Sequence, residues 1–381
     1  MSYKKYLTEK VLPFWLKGAI DTEEGGIFTS LDREGNIYGR DKSVWFQGRS
    51  LWAFAKAYNA IERKEEYIAA AKRIFNFIPR TVDTDGRMFF TVDNTGCGIQ
   101  KRSYYFSETF AAIGSAEYYQ ATKDKNAKEQ AEKYFAVAKR CYDDKSKTPS
   151  GLPVKELALP MIMMNTARCL ASSLPDGEHY ARLAQEFAEE IMTGGYFSEE
   201  LGVLLEKITQ NGAVIDSPTG RVVNPGHSLE AAWFLMVEGV LGHCDEFLAF
   251  AKKIIDSTMK VGIDRKYGGV FGFLDAKGLP SPMIEHDVKR WWPQNEAIIA
   301  NRMAYELFGE KKYREAYESL CDYAFGKFAD NEYGEWFGYL HYDGTLLNTA
   351  KGNDFKGPFH LPRMLMILSA VDEGRLFEFF G

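Results

Sequence analysis

The sequence predicts an all-α fold: a single (α/α)6-barrel domain over residues 1–381, with short β-hairpins in the loops at one end. Three observations predict it. First, helical patterns alternate between an amphipathic, charged kind and a kind that is apolar nearly all round, and a helix apolar on every side is a buried one. Second, one polar landmark from each buried helix (Arg49, Glu108, Asn165, His227, Trp292 and His360) recurs at gaps of 59, 57, 62, 65 and 68 residues. That is an internal repeat of about 60 residues. Third, a glycine-bounded strand pattern keeps returning between the helices. Six helix pairs closed into a ring give an inner and an outer layer, and the polar starts of the inner helices then face one end.

Each element follows in chain order. "MSYKKYLTEKVLPFWLKGAIDTEEGG" has helically spaced apolar residues mixed with charges. It has no apolar signal core and no small-residue cleavage site. Asp21, Glu23 and Glu24 at its end read as solvated. "GGIFTSLDREG" (Gly25 to Gly35) is the first hairpin pattern, followed by "GRMFFTVDNTG" (Gly86 to Gly96), "GGVFGFLDAKG" (Gly268 to Gly278) and "GEWFGYLHYDG" (Gly334 to Gly344). Each alternates apolar with small or polar residues and closes on an acidic, Gly-ended turn. The buried helices start near Val44, Tyr104, Pro160, Pro225, Trp291 and Pro358. Charged partners include 64–78, 127–142, 179–192 and 311–325.

Composition narrows the function. Of 381 residues 45% are hydrophobic, and 47 basic against 53 acidic residues give a net charge of −6. No like-charged block stands out, which argues against nucleic acid and against an anionic membrane surface. No apolar run is long enough to span a bilayer. The five cysteines form no C-x-x-C pair and read as reduced thiols of a cytoplasmic protein. There is no P-loop, no Rossmann glycine motif after a strand, and no H-E-x-x-H, so no metal is expected.

The chemistry-bearing residues sit at the helix mouths. In "RVVNPGHSLEAAWFL", Asn224 is a good N-cap, Pro225 fits the first helical position and Gly226 allows close approach. His227 then lies in the first turn, where the helix dipole favours a neutral ring. Glu230, three residues on, shares its face and would hold the ring's other nitrogen or a ligand hydroxyl. "DFKGPFHLPRMLM" repeats the theme with His360, and Arg363 takes the place of Glu230. Two histidines in equivalent positions weaken the alternative, a structural histidine. In "KRWWPQNEAIIA", Trp291 and Trp292 precede Glu296. Aromatic faces with a carboxylate suit a sugar, although a core tryptophan pair is the competing reading. Arg49 in "WFQGRS" and Glu108 in "YYFSETF" are charges on otherwise apolar helices, so each must be paired or meet a ligand. His179, His243, His286 and His341 lie in charged or loop contexts and read as surface residues.

Together, "NPGHSLEAAWFL", "WWPQNEAIIA", "EYGEWFGYL" and "FKGPFHLPR", with "GGIFTSLDREG" and "VWFQGR", resemble the N-acylglucosamine 2-epimerase family over nearly the whole chain. The resemblance implies an (α/α)6 barrel and interconversion of N-acyl-D-glucosamine with N-acyl-D-mannosamine. The two catalytic histidines it implies fall on His227 and His360. Substrate contacts carried over are Arg49, Glu230, Trp292, Glu296 and Asn165, while Glu108 and Arg363 are candidates from their helix positions. It further implies chemistry without a cofactor, a homodimer, and ATP as an allosteric activator that is not consumed. "GIQKRSYYFSE" (Gly98 to Glu108) matches a family segment that would hold ATP. Cellobiose 2-epimerases resemble "MNTARCL" but carry histidines where this chain has Ala167 and Cys169, which favours the N-acylglucosamine branch. Some family epimerases have cysteine at the position of Pro358.

The expected reaction opens the pyranose, so that the C1 aldehyde acidifies C2–H. One histidine removes this proton and the other returns one to the opposite face, with Arg49 beside the developing oxyanion. His360 is expected to act on the gluco epimer and His227 on the manno epimer. The alternatives are an aldose–ketose isomerase of the mannose isomerase type, a 2-epimerase of another sugar such as cellobiose, a glycoside hydrolase using Glu108 and Glu296, and a non-catalytic sugar-binding protein.

Overall fold

The structure, a computed structural model, describes residues 2–144 and 149–381. The chain opens on α1, in which Tyr3–Tyr6 and Leu12–Gly18 are joined by a π-helical turn, Leu7–Val11. Inner and outer helices then alternate. They are α2 (Val44–Ala60) and α3 (Glu65–Phe77), α4 (Phe106–Thr122) and α5 (Lys125–Asp143), and α6 (Ala158–Ser173) and α7 (Gly177–Thr193). The second half continues with α8 (Pro225–Leu241) and α9 (Asp245–Val261), α10 (Trp291–Phe308) and α11 (Lys311–Lys327), and finally α12 (His360–Asp372).

Each inner helix packs on the next, and α12 returns to α2, so the inner ring is closed. The chain supplies the sixth outer helix from its start, because α1 lies against α12. The sequence patterns explain the layers. In α8 every residue from Leu229 to Gly239 is buried, whereas α3 buries a stripe of Tyr67, Ala70, Ala71, Ile74 and Phe75. Two glycines let α2 and α4 touch backbone to backbone. A Cβ on Gly48 would stand 2.4 Å from the carbonyl carbon of Phe110, and one on Gly114 would stand 2.7 Å from the carbonyl oxygen of Gly48. Among the described residues no helix is long and apolar enough to cross a membrane.

Short strands gather at the mouth, as expected, but they do more than form local hairpins. Thr91–Val92 pairs with Gly98–Gln100 and also with Lys42–Ser43 of the preceding repeat. Tyr339–His341 pairs with Leu346–Asn348 and with Val288–Arg290. Leu274–Asp275, expected to fold on itself, instead pairs with Val222–Val223. A bridge between Leu31 and Gly352 joins the last repeat to the first. The strands therefore stitch neighbouring helix pairs around the rim.

Buried polar side chains pin these strands to the helices. Gln47 accepts from the Ile27 amide (2.8 Å) and donates back to its carbonyl, and Gln294 does the same to Val270. Lys42 bonds Asp21 (2.7 Å) and the Gly25 carbonyl; Lys289 bonds Asp264 (2.7 Å) and the Gly268 carbonyl; Lys351 bonds Asp330 (3.1 Å) and the Gly334 carbonyl. This corrects the expectation for Asp21, which is buried and paired rather than solvated. His179, His243, His286 and His341 are exposed.

Candidate active site

The starts of the inner helices surround a cavity of about 530 Å³. That is an ordinary size for a small-molecule site. Arg49, Asn165, His227, Glu230, Trp292, His360 and Arg363 line it, so the structure brings these seven expected residues together. Glu296 lies directly behind them, fully buried.

His227 is placed as its local sequence foretells. Asn224 caps α8 by accepting from the His227 amide, and Pro225 occupies the first turn. A Cβ on Gly226 would meet the Trp292 ring at 2.6 Å, so glycine is what admits that indole. Trp292 stands near both imidazoles, its centroid 5.2 Å from that of His227 and 5.6 Å from that of His360.

Each histidine commits Nδ1 to a carboxylate and leaves Nε2 free of that bond. His360 Nδ1 lies 2.7 Å from Glu296 Oε1. A carboxylate only accepts, so Nδ1 carries the proton and Nε2 holds a lone pair. Glu296 is itself fixed, because Trp233 Nε1 donates to Oε2 at 2.8 Å and Arg363 stands 2.8 Å from Oε1. Burial, then the Arg363 and Arg49 guanidiniums, hold the His360 pKa well below the ordinary imidazole value.

His227 is the opposite case. Its Nδ1 meets Glu206 Oε2 at 2.9 Å. Burial lowers its pKa, but the Glu206 charge and hydrogen bond, with help from Glu230, outweigh burial and raise it. Glu206, on the rim segment that leads into α8, thus works against the helix-start argument for a neutral ring. Glu206 is a residue that sequence reasoning missed. Its one signal was a lone acid in the apolar stretch "VLLEKIT".

Glu230 does not hold the His227 ring. It accepts from Arg363 Nη2 at 2.5 Å. Glu230, Glu296 and His360 offer ligand atoms within 4.8 Å of one another, and Arg363 Nη2 bonds both carboxylates and lies 3.3 Å from the ring. A guanidinium thus supplies positive charge at the one described cluster with metal-ligand spacing. Arg49 donates to the Phe355 carbonyl at 3.2 Å and stacks 4.1 Å over Phe110.

Glu108 is the site residue that the structure removes. It does not line the cavity. Its Oε1 accepts from the Met88 amide (2.9 Å) and from Arg87 Nε (2.5 Å). Met88 occupies the place of Ile27 and Val270 in the strand pattern, so Glu108 is the second repeat's version of Gln47 and Gln294. Its charge, which made it stand out on an apolar helix, is matched by Arg87.

Comparison with known proteins places the chain in a family. The family model described as N-acylglucosamine 2-epimerase (GlcNAc 2-epimerase) matches residues 26–360. An N-acylglucosamine 2-epimerase of Bos taurus is 32% identical, over 94% of this chain and 87% of its own length. A cellobiose 2-epimerase of Bacteroides fragilis is 24% identical, over 96% and 97%. Among solved structures a D-mannose isomerase superposes with a TM-score of 0.85 at 18% identity, over 98% of this chain and 96% of the other. Matched along nearly its whole length, with a closed ring of six inner helices, the chain belongs to the N-acylglucosamine 2-epimerase family.

Proposed function

We propose that this protein is an isomerase that interconverts N-acyl-D-glucosamine and N-acyl-D-mannosamine by proton transfer at C2. One observation carries the mechanism: two histidines on one cavity, each oriented by a carboxylate, with pKa values pushed in opposite directions. Paired groups of this kind divide into base and acid. The open-chain aldehyde acidifies C2–H. Neutral His360 removes that proton through Nε2, and imidazolium His227 delivers one to the opposite face. The reverse reaction exchanges the roles. Charge developing on the C1 oxygen meets Arg49, whose guanidinium lies between aromatic rings where a charge acts strongly. Glu296 holds the His360 tautomer, Arg363 neutralises Glu230 and Glu296, and Trp292 offers a face to the sugar.

The geometry speaks against a glycoside hydrolase. Two free carboxylates must flank the scissile bond, yet Glu108 faces away from the cavity and Glu296 is held by three partners. ATP takes no part in these steps. Lys101, in the segment expected to hold it, is committed to Asp83 and Asp85. A homodimer rests on the family resemblance and is read by light scattering. The test of the activity is product NMR on N-acetylglucosamine, N-acetylmannosamine, mannose, glucose and cellobiose, with and without ATP. The expected result is interconversion of the two N-acetyl sugars. A ketose product would make the enzyme an aldose–ketose isomerase, and turnover of cellobiose alone would overturn the substrate assignment.

A further inference from the structure

Three arginines line the cavity, and they are not alike. Arg363 bonds two carboxylates, Glu230 and Glu296, through Nη2. Arg49 and Arg290 have no such counter-charge: among the described residues neither guanidinium forms an ion pair, and in each, as in Arg363, the buried Nε has no hydrogen-bond partner. Each spends one N–H on a backbone carbonyl, Arg49 on Phe355 and Arg290 on Gly272 at 3.3 Å. They come from different repeats, Arg49 from α2 and Arg290 from the strand that precedes α10. Arg49 is among the charges acting on His360, and Arg290 among those acting on His227. Arg290 is held between two rings, 4.4 Å from the Phe273 centroid and 5.3 Å from that of Trp292. A buried N–H left without a partner is costly unless a ligand oxygen satisfies it.

The reaction limits which oxygens these are. C2 exchanges its proton with both histidines, so it must stand between them. Two carbonyl oxygens then radiate from C2, one through C1 and one through the acylated nitrogen. The C1 oxygen gains charge as the proton leaves toward His360, on the Arg49 side. The acyl oxygen gains none, and an amide lying toward Arg290 would meet the flat faces of Phe273 and Trp292. We propose that Arg290 is a specificity-determining residue of this site, its guanidinium donating to the carbonyl oxygen of the 2-acylamino group. This rests on the epimerase reading above. It predicts that Arg290 contributes binding shared by substrate and transition state, whereas Arg49 contributes to the chemical step.

The test compares wild type, Arg290→Met, Arg290→Lys and Arg49→Met. Epimerisation of N-acetylmannosamine is followed, together with inhibition by two open-chain probes that cannot react, 2-acetamido-2-deoxyglucitol and glucitol. In Arg290→Met, KM should rise about tenfold or more while kcat changes less than about threefold. The preference for the acetamido probe over glucitol should shrink by a similar factor. Arg290→Lys keeps the charge but loses the fork, so it should lie between the two, and it carries the test if Arg290→Met fails to fold. Arg49→Met should lose kcat instead. An unchanged probe preference in the Arg290 variants overturns the proposal, and so does a kcat collapse at constant KM. Failure of the epimerase reading looks different: wild type itself would not turn over N-acetylmannosamine.

Discussion

A histidine's role in this site is set by which carboxylate holds it and by what else stands near. His227 and His360 occupy equivalent helix starts, and each gives Nδ1 to a carboxylate. Their pKa values nonetheless move apart. His360 is buried beside two guanidiniums, whereas the charges nearest His227 are the Glu206 and Glu230 carboxylates. The rate in one direction requires neutral His360 and protonated His227. The acid limb of the pH profile should therefore lie below the ordinary imidazole value of about 6.5, and the alkaline limb above it. Glu206→Gln removes the negative charge that raises His227. Its alkaline limb should move to lower pH while the acid limb stays in place, as read from kcat/KM against pH. An alkaline limb that does not move would separate Glu206 from the chemistry.

At the scale of elements, the same device recurs in different dress. An aspartate caps the turn that opens a strand, and a lysine further along the rim closes it: Asp21 with Lys42, Asp264 with Lys289, and Asp330 with Lys351. Burial alone would raise these aspartates. The ammonium and the turn amides, joined at Asp330 by the Arg33 guanidinium, outweigh it and hold each below the usual carboxylate range. Their contribution to stability is fully present above the unfolded aspartate value of about 3.9 and is lost as pH falls through the depressed folded values. Lys289→Met leaves Asp264 buried without its counter-charge. It should cost about 3 kcal/mol or more in urea unfolding, and Asp264→Asn in the same chain should restore part of that. A loss below about 1 kcal/mol would show the pair to be dispensable. These staples explain two misread residues. Asp21 looked like one of three surface acids, and Glu108 looked like a substrate contact. Both partners of Asp21 and Glu108, Lys42 and Arg87, lie about 20 residues away across a strand, a contact that helix periodicity does not register.

For the whole molecule, the repeat was legible and the cross-repeat contacts were not. A period near 60 in buried helices implies the ring, and the structure closes it with α1 on the outside of α12. His227, His360, Trp292, Arg49 and Arg363 were legible because each is a polar or aromatic residue in the first two turns of an apolar helix, and Asn165, at mid-helix, only through the family resemblance. Glu206, Trp233 and Arg290 were not. Arg290 comes from a rim strand and Glu206 from the link between two of them, and Trp233 looks like core until its N–H is seen on Glu296. The ring has one functional consequence above all: it brings two histidines from different repeats to one cavity, where the proposed reaction needs a base on each face of C2. The most direct measurement is epimerisation of N-acetylmannosamine run in heavy water, with C2 of the product read by NMR. Two-base transfer predicts one solvent deuteron at C2 of each product molecule, and loss of that labelling together with turnover in the His227→Ala, His360→Ala double variant. Product formed with C2 unlabelled, or turnover retained without both histidines, would contradict it.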